Sequence, residues 1–190
     1  DGNDTLRSVT KSRAAMLPAT TGAIASPYRW HVDSFLATHF PRGVGFAQDL
    51  PVPSLPEDLP LALAAAFSVD DSATTEIDDA FSVSWLPDGG IRVGIHIAAP
   101  ALTIARDSAL EKIARERLST VYMPGDKITM LPDDVVQAYT LMEGRDCPAI
   151  SLYVAFDEAT LELKSSETKL ERVATQVYGA AGISRLPAGA

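Results

Sequence analysis

A chain of 190 residues with 46% apolar and 22% charged positions has the makeup of one ordinary globular domain, or of one domain with a short appended piece, and excludes general disorder. Its longest apolar stretches, such as Leu61 to Val69, are too short to cross a bilayer, so no membrane partner is expected. Twenty-five acidic against sixteen basic residues leave a net charge of −9, which taken alone argues against nucleic acid, because phosphate neutralisation needs Lys and Arg.

A single cysteine, Cys147, forbids an intramolecular disulfide and fits a reducing compartment. The opening Asp1-Gly2-Asn3-Asp4 lacks the charged-then-apolar plan of a signal peptide, so a cytoplasmic location is expected. With no initiator Met, Asp1 reads as an internal start.

In chain order, residues 1 to about 25 show no sustained period and read as a tail. Ser26-Pro27 is an N-cap followed by proline at the first helical position, opening a helix to about His39 with Trp30, Val32, Phe35 and Leu36 on its apolar face. Pro41-Arg42-Gly43 stops it, and four prolines between 51 and 60 predict an extended connector. The apolar run Leu61 to Val69 leads into an acidic stretch. Ala80 to Trp85 and Ile91 to Ala98 form a hairpin around Pro87-Asp88-Gly89-Gly90.

Asp107 is expected to cap a helix through about Leu118, and Met123 to Pro132 reads as a loop around Pro124-Gly125. Ala149 to Phe156 and Leu161 to Ser165 form a second hairpin, and Val173 to Ala181 reads as the opening of another helix. Strands and helices mix without regular alternation, which gives an α+β fold: a mixed, largely antiparallel sheet with packed helices. The expected division is 1–43, a tail and helix leading into the domain, and 44–190, the domain itself.

Between Asp70 and Asp79 stand five carboxylates: Asp70, Asp71, Glu76, Asp78 and Asp79. Such groups repel one another unless cations or hydrogen-bond donors compensate them. Hard oxygen ligands suit Mg²⁺, with Mn²⁺ as the alternative, and ions of that kind serve phosphodiester hydrolysis. A solvated acidic turn joining two strands is the bland reading of the same residues. A calcium loop fails on position: counting from Asp70, the sixth residue is Thr75 rather than Gly and the twelfth is Phe81 rather than Glu.

Ser68-Val69-Asp70, Glu76 and Asp78-Asp79-Ala80 resemble the acidic signature of the ribonuclease II/R (RNB) family. Downstream, Val93-Gly94-Ile95-His96-Ile97-Ala98-Ala99 is similar to the family's strand ending His-Ile-Ala-Asp, with Ala99 in place of the Asp. Ser119-Thr120-Val121-Tyr122-Met123-Pro124 and Met130-Leu131-Pro132 resemble a further family segment, so the likeness runs over about residues 44 to 178. Glu76 stands where the family usually has Asp, one methylene longer.

The resemblance implies a metal-dependent 3′-to-5′ exoribonuclease that hydrolyses single-stranded RNA to nucleoside 5′-monophosphates. It makes Asp70, Glu76, Asp78 and Asp79 the metal-holding set, with Asp78 also the catalytic carboxylate that positions water or a second ion. It makes Tyr122 the aromatic that packs on a nucleotide. Asp78 and Asp79, adjacent in sequence, share one site only where the backbone bends. It also implies that this chain is the N-terminal portion of the catalytic domain, weak or inactive alone, with the later catalytic part and the oligonucleotide-binding-fold domains supplied elsewhere. Bound cations or those other domains would answer the unfavourable net charge. The rival reading is a non-catalytic RNB-like module that binds RNA or protein, favoured by Glu76 and Ala99; a purely structural acidic domain is the third. His96, between Ile95 and Ile97, is expected to be buried and hydrogen-bonded, Cys147 an inert buried thiol, Trp30 and His31 packing residues, and Arg115 and Arg117 solvated helix charges.

Overall fold

The computed structural model describes residues 22, 26–47, 50–70 and 74–179. The chain divides into two compact units, 1–47 and 48–190. In the first, α1 (Pro27–His39) begins as its sequence dictates: Ser26 Oγ accepts the Arg29 N–H at 3.1 Å and Pro27 takes the first helical position. The Phe40 N–H closes the helix on the Leu36 carbonyl at 2.8 Å, before the Pro41-Arg42-Gly43 turn. Val32, Phe35 and Leu36 are half-buried, whereas Trp30 is exposed and meets His31 edge-on. Apart from Gly22, the expected tail at residues 1–25 lies outside the described residues.

The second unit is built on a closed five-stranded barrel. Its strands are β1 (Ala66–Asp70), β2 (Asp79–Trp85), β3 (Gly90–Ala98), β6 (Asp146–Asp157) and β7 (Leu163–Gly179), paired in the order β1-β2-β3-β6-β7. Every pairing is antiparallel except β7 on β1, which closes the barrel with Ala66 opposite Thr175 and Asp70 opposite Gly179. Together with the helices this is the expected α+β architecture with a largely antiparallel sheet.

A barrel of five strands is narrow, and its inward positions carry mostly small residues. At one end Ala66, Ala80, Cys147, Ala149 and Val173 pack with Ile77 and Leu141 into an apolar cluster. The small neighbours leave room for two large polar rings. His96 is fully buried, with Nε2 2.9 Å from Ser82 Oγ and Nδ1 2.8 Å from Ser151 Oγ. Tyr153 donates to the buried Glu171 carboxylate at 2.6 Å and lies edge-on to His96. Gly94 makes this packing possible, since a Cβ there would press into Ser82 Oγ and come within 2.8 Å of His96 Nε2. Several outward positions of the same strands are apolar: Phe67 faces Phe81, and Val83, Ile97, Ile150 and Leu152 are exposed.

One expectation for the barrel is corrected. Val173 to Ala181 does not open a helix: residues up to Gly179 belong to β7, and 180–181 lie outside the described residues. The alternation Glu171, Val173, Thr175 turns one side into the barrel, and pairing with both β6 and β1 supplies backbone partners that no local helix would match. The apolar run from Leu61 is strand only from Ala66, with Leu61 making a single parallel bridge to Arg172.

Between β3 and β6 the chain leaves the barrel to build a side wall. A short 3₁₀ turn (Pro100–Leu102) precedes α2 (Ala109–Arg117), the small hairpin β4 (Val121–Met123) and β5 (Asp126–Ile128), and α3 (Asp133–Tyr139). The segment expected as a loop, Met123 to Pro132, thus holds half of a hairpin turned at Pro124-Gly125, with Gly125 at φ +79°. The cap of α2 is Ser108, whose Oγ accepts the Glu111 N–H at 3.1 Å, and not Asp107, which sits one residue earlier at φ +63°. Leu110, Val135 and Tyr139 form the wall's own apolar core with Ile104, Leu131 and Ala138.

Candidate active site

The acidic segment joins β1 to β2 and is held most firmly at Ile77. Ile77 is buried in the barrel's apolar cluster, its N–H donates to Thr140 Oγ1 at 2.7 Å, and its carbonyl accepts the Leu141 N–H at 2.9 Å. The Asp78 carbonyl then accepts the Ala98 N–H at 2.8 Å, just before Asp79 enters β2 opposite Ile97. Extended backbone turns neighbouring side chains to opposite sides. With Ile77 held inward, Glu76 and Asp78 face the other way and both line a cavity of about 520 Å³ between barrel and wall. Ile97, Leu131, Val135 and Val136 give that cavity its apolar surface, and Tyr122 and Thr120 stand on it as well.

Asp79 and Asp70 are not among the cavity's lining residues, yet both act on Asp78 through their charge. The Asp78 carboxyl is pushed above its ordinary value, first by burial and then by the negative charges of Glu76, Asp79 and Asp70, with Lys127 opposing them. Repulsion of this kind is what a cation would relieve. The donor types, carboxylate oxygens alone, fit a hard divalent ion. Their placement does not: among the described residues no three His, Cys, Asp or Glu side chains are grouped to hold a metal ion.

Glu76 already has a cationic partner, and its side chain is only 8% exposed. Lys127 Nζ lies 2.8 Å from Glu76 Oε1 and 2.9 Å from Thr75 Oγ1. Lys127 sits on β5 directly opposite Tyr122 on β4. Partial burial and the negative charges of Glu76 and Asp78 hold the Tyr122 hydroxyl above its ordinary value, while 68% of the residue's surface stays open. Its ring is therefore free to receive a flat partner. Gln137 Nε2 adds a hydrogen bond from α3 to the Thr75 carbonyl at 3.3 Å.

Lys127, Thr140 and Gln137 went unnoticed in the sequence. The signal for Lys127 was present as Val121-Tyr122-Met123 and Asp126-Lys127-Ile128 on either side of a Pro-Gly turn, a hairpin pattern. Thr140 and Gln137 left none, since their partners lie more than sixty positions away.

His96, Cys147 and Arg115 fall where expected, whereas Arg117 is half-buried and not a solvated charge. His96 is buried and doubly hydrogen-bonded, with burial holding its pKa low. Cys147 is buried, donates to the Thr140 carbonyl at 3.0 Å, and burial raises its pKa. Arg115 pairs with Glu111 one turn earlier on the open face of α2, and Arg117 donates to the Thr129 carbonyl at 2.8 Å. Ala99, the departure at the end of β3, is buried and bonds its N–H to the Pro148 carbonyl at 3.1 Å.

Three likenesses accompany this geometry. Exoribonuclease 2 of Vibrio cholerae is 38% identical over 84 residues, which cover 44% of this chain and 12% of that protein. The structure of yeast Ssd1, a pseudonuclease, superposes with a TM-score of 0.66 at 21% identity, over 84% of this chain and 22% of that one. RNase R of Mycoplasma genitalium, solved in complex with double-stranded RNA, gives a TM-score of 0.59 at 19% identity, over 80% of this chain and 26% of the other. These structural likenesses speak for the fold, and the chain spans about a quarter or less of the length of each relative. The family model described as RNB domain matches residues 60–175, from the connector before β1 almost to the end of β7. The chain belongs to the RNB domain family, whose matched relatives include exoribonucleases.

Proposed function

We propose that the intact protein is a 3′-to-5′ exoribonuclease that hydrolyses single-stranded RNA to nucleoside 5′-monophosphates with the help of Mg²⁺ or Mn²⁺. One observation carries the reading: Glu76 and Asp78 share the wall of a cavity on which the exposed Tyr122 also stands. Acidic groups beside an apolar hollow with an open aromatic suit a nucleotide, its base against the ring and its phosphate toward the carboxylates. Asp70, Glu76, Asp78 and Asp79 are the proposed donors for the ion, and Asp78 the group that positions the reacting water. The net charge of −9 is answered by basic surface on the rest of the catalytic domain and on oligonucleotide-binding-fold domains. The 190-residue chain alone is then a weak or inactive nuclease in the cytoplasm.

Asp78→Asn in the intact protein tests this. Turnover of labelled single-stranded RNA is expected to fall by about a thousandfold, while RNA affinity changes by less than about threefold. Unchanged turnover sinks the assignment. A second reading, a non-catalytic RNB module that binds RNA or protein, is favoured by the ion pair that occupies Glu76 and by the likeness to a pseudonuclease. It is established if the intact wild-type protein binds RNA and releases no mononucleotide at millimolar Mg²⁺.

A further inference from the structure

We propose that Leu118 is a wedge for single-stranded RNA: held out by a strained turn, its side chain stands between two successive bases, one on Tyr122 and the next in a second cavity. This rests on the reading that the cavity beside Glu76 and Asp78 receives RNA, and it applies to an RNA-binding module as much as to a nuclease.

Two observations meet at this residue. Helix α2 ends on it: the Leu118 N–H donates to the Ala114 carbonyl, and the Ser119 N–H folds back onto the Arg117 carbonyl, both at 2.8 Å. With φ +67° and ψ −39°, Leu118 is the centre of a γ-turn of positive φ, a rare and strained shape for a residue with a Cβ. The turn is clamped on both sides. Arg117 donates to the Thr129 carbonyl at 2.8 Å, and Thr120 Oγ1 accepts the Met130 N–H at 3.2 Å. Glycine would relieve the strain, and the side chain is 78% exposed, so the folded chain gains little from a leucine here.

The second observation is where the side chain stands. Leu118 lines the cavity that holds Glu76, Asp78 and Tyr122, and also a neighbouring one of about 330 Å³ between α2 and the 3₁₀ turn. Pro100, Met130 and Leu131 are common to both as well, so the two form one trough. Ile104 and Ala114 make its second half apolar, and Glu111 and Arg115 give it a polar edge whose charges are paired with each other. An apolar hollow with a polar edge suits a nucleobase. Leucine is among the side chains that part stacked bases when inserted between them. The trough runs on from Tyr122, which makes the next base of the same strand its occupant.

The intact protein and a short fluorescein-labelled oligoadenylate, without added divalent ion so that the RNA is not consumed, test the wedge. Leu118→Gly is expected to weaken binding by about tenfold through the lost apolar contact, yet to melt no lower than wild type. Leu118→Met, of similar reach, should keep affinity within about threefold. Leu161 is also exposed and at φ +58°, but in the β6–β7 turn at the other end of the barrel, so Leu161→Gly should change affinity by less than about twofold. A single abasic nucleotide moved along the strand should find one position that costs the wild type about tenfold and Leu118→Gly less than about threefold, a coupling that a merely structural leucine would not show.

Affinity of Leu118→Gly within about twofold of wild type, or a melting temperature lowered by more than about 5 °C, overturns the wedge and leaves the RNA reading intact. Failure of the wild type to bind the oligoadenylate at all sinks the RNA reading and the wedge with it.

Discussion

Two polar clusters lie within one barrel length of each other and handle charge in opposite ways. Inside the barrel, His96 is buried, and burial drives it toward its neutral form, in which one ring nitrogen donates and the other accepts. Ser82 and Ser151 meet both nitrogens, so nothing is left over. At the rim, Asp78 is also driven toward its neutral form, but by like charges as well as by burial, and only Lys127 opposes them. The interior cluster is settled by hydroxyl partners that never leave. The rim cluster is settled in part, by the Glu76–Lys127 ion pair. Hydrogen bonds between neutral groups fix a fold, whereas charges crowded at a rim leave their repulsion only partly compensated.

This contrast can be broken, most severely from the inside. Gly94→Ala forces a methyl against Ser82 and His96, and urea unfolding should show a loss of about 2–3 kcal/mol; a loss below about 0.5 kcal/mol would mean the network yields easily. Next comes pH. A histidine whose folded pKa lies below its ordinary 6.5 contributes stability that is present above that value and lost as pH falls through the folded pKa. The wild type should therefore lose stability on going from pH 7 to pH 5. A His96→Gln variant should show a flatter profile over the same window, and equal slopes would refute a buried neutral ring.

The rim should respond with the opposite sign. Asp78→Asn removes a repelled charge, so urea unfolding of the metal-free chain should show a gain of no more than about 1 kcal/mol, because the Asp78 side chain is only partly covered and water screens its neighbours. A loss of stability would mean that Asp78 supports the fold instead of straining it. The smallest effect belongs to Tyr139, whose hydroxyl is buried without a partner. Tyr139→Phe should leave stability within about 0.5 kcal/mol of wild type, since no hydrogen bond is lost.

Several features followed from the sequence alone because they depend on neighbours along the chain. Ser26-Pro27 opened α1, turn chemistry at 87–90 set the β2–β3 hairpin, and four prolines kept the connector extended. The acidic run could be read in the same way, since its residue types limit what it can bind. Other features were decided in three dimensions. Val173 to Gly179 carries no local mark strong enough to choose strand over helix, and only pairing with both β6 and β1 chose it. Ser108 displaced Asp107 as the cap of α2 because Asp107 is needed at positive φ in the preceding turn. Above all, the sequence placed five carboxylates within ten positions, but the directions of Glu76 and Asp78 were set by Thr140, Leu141 and Lys127, residues from 51 to 64 positions away from Glu76 or Ile77 along the chain. A row of charges declares its own chemistry. Which of its members face a common space is fixed by distant backbone and side-chain partners that meet it only when the barrel closes.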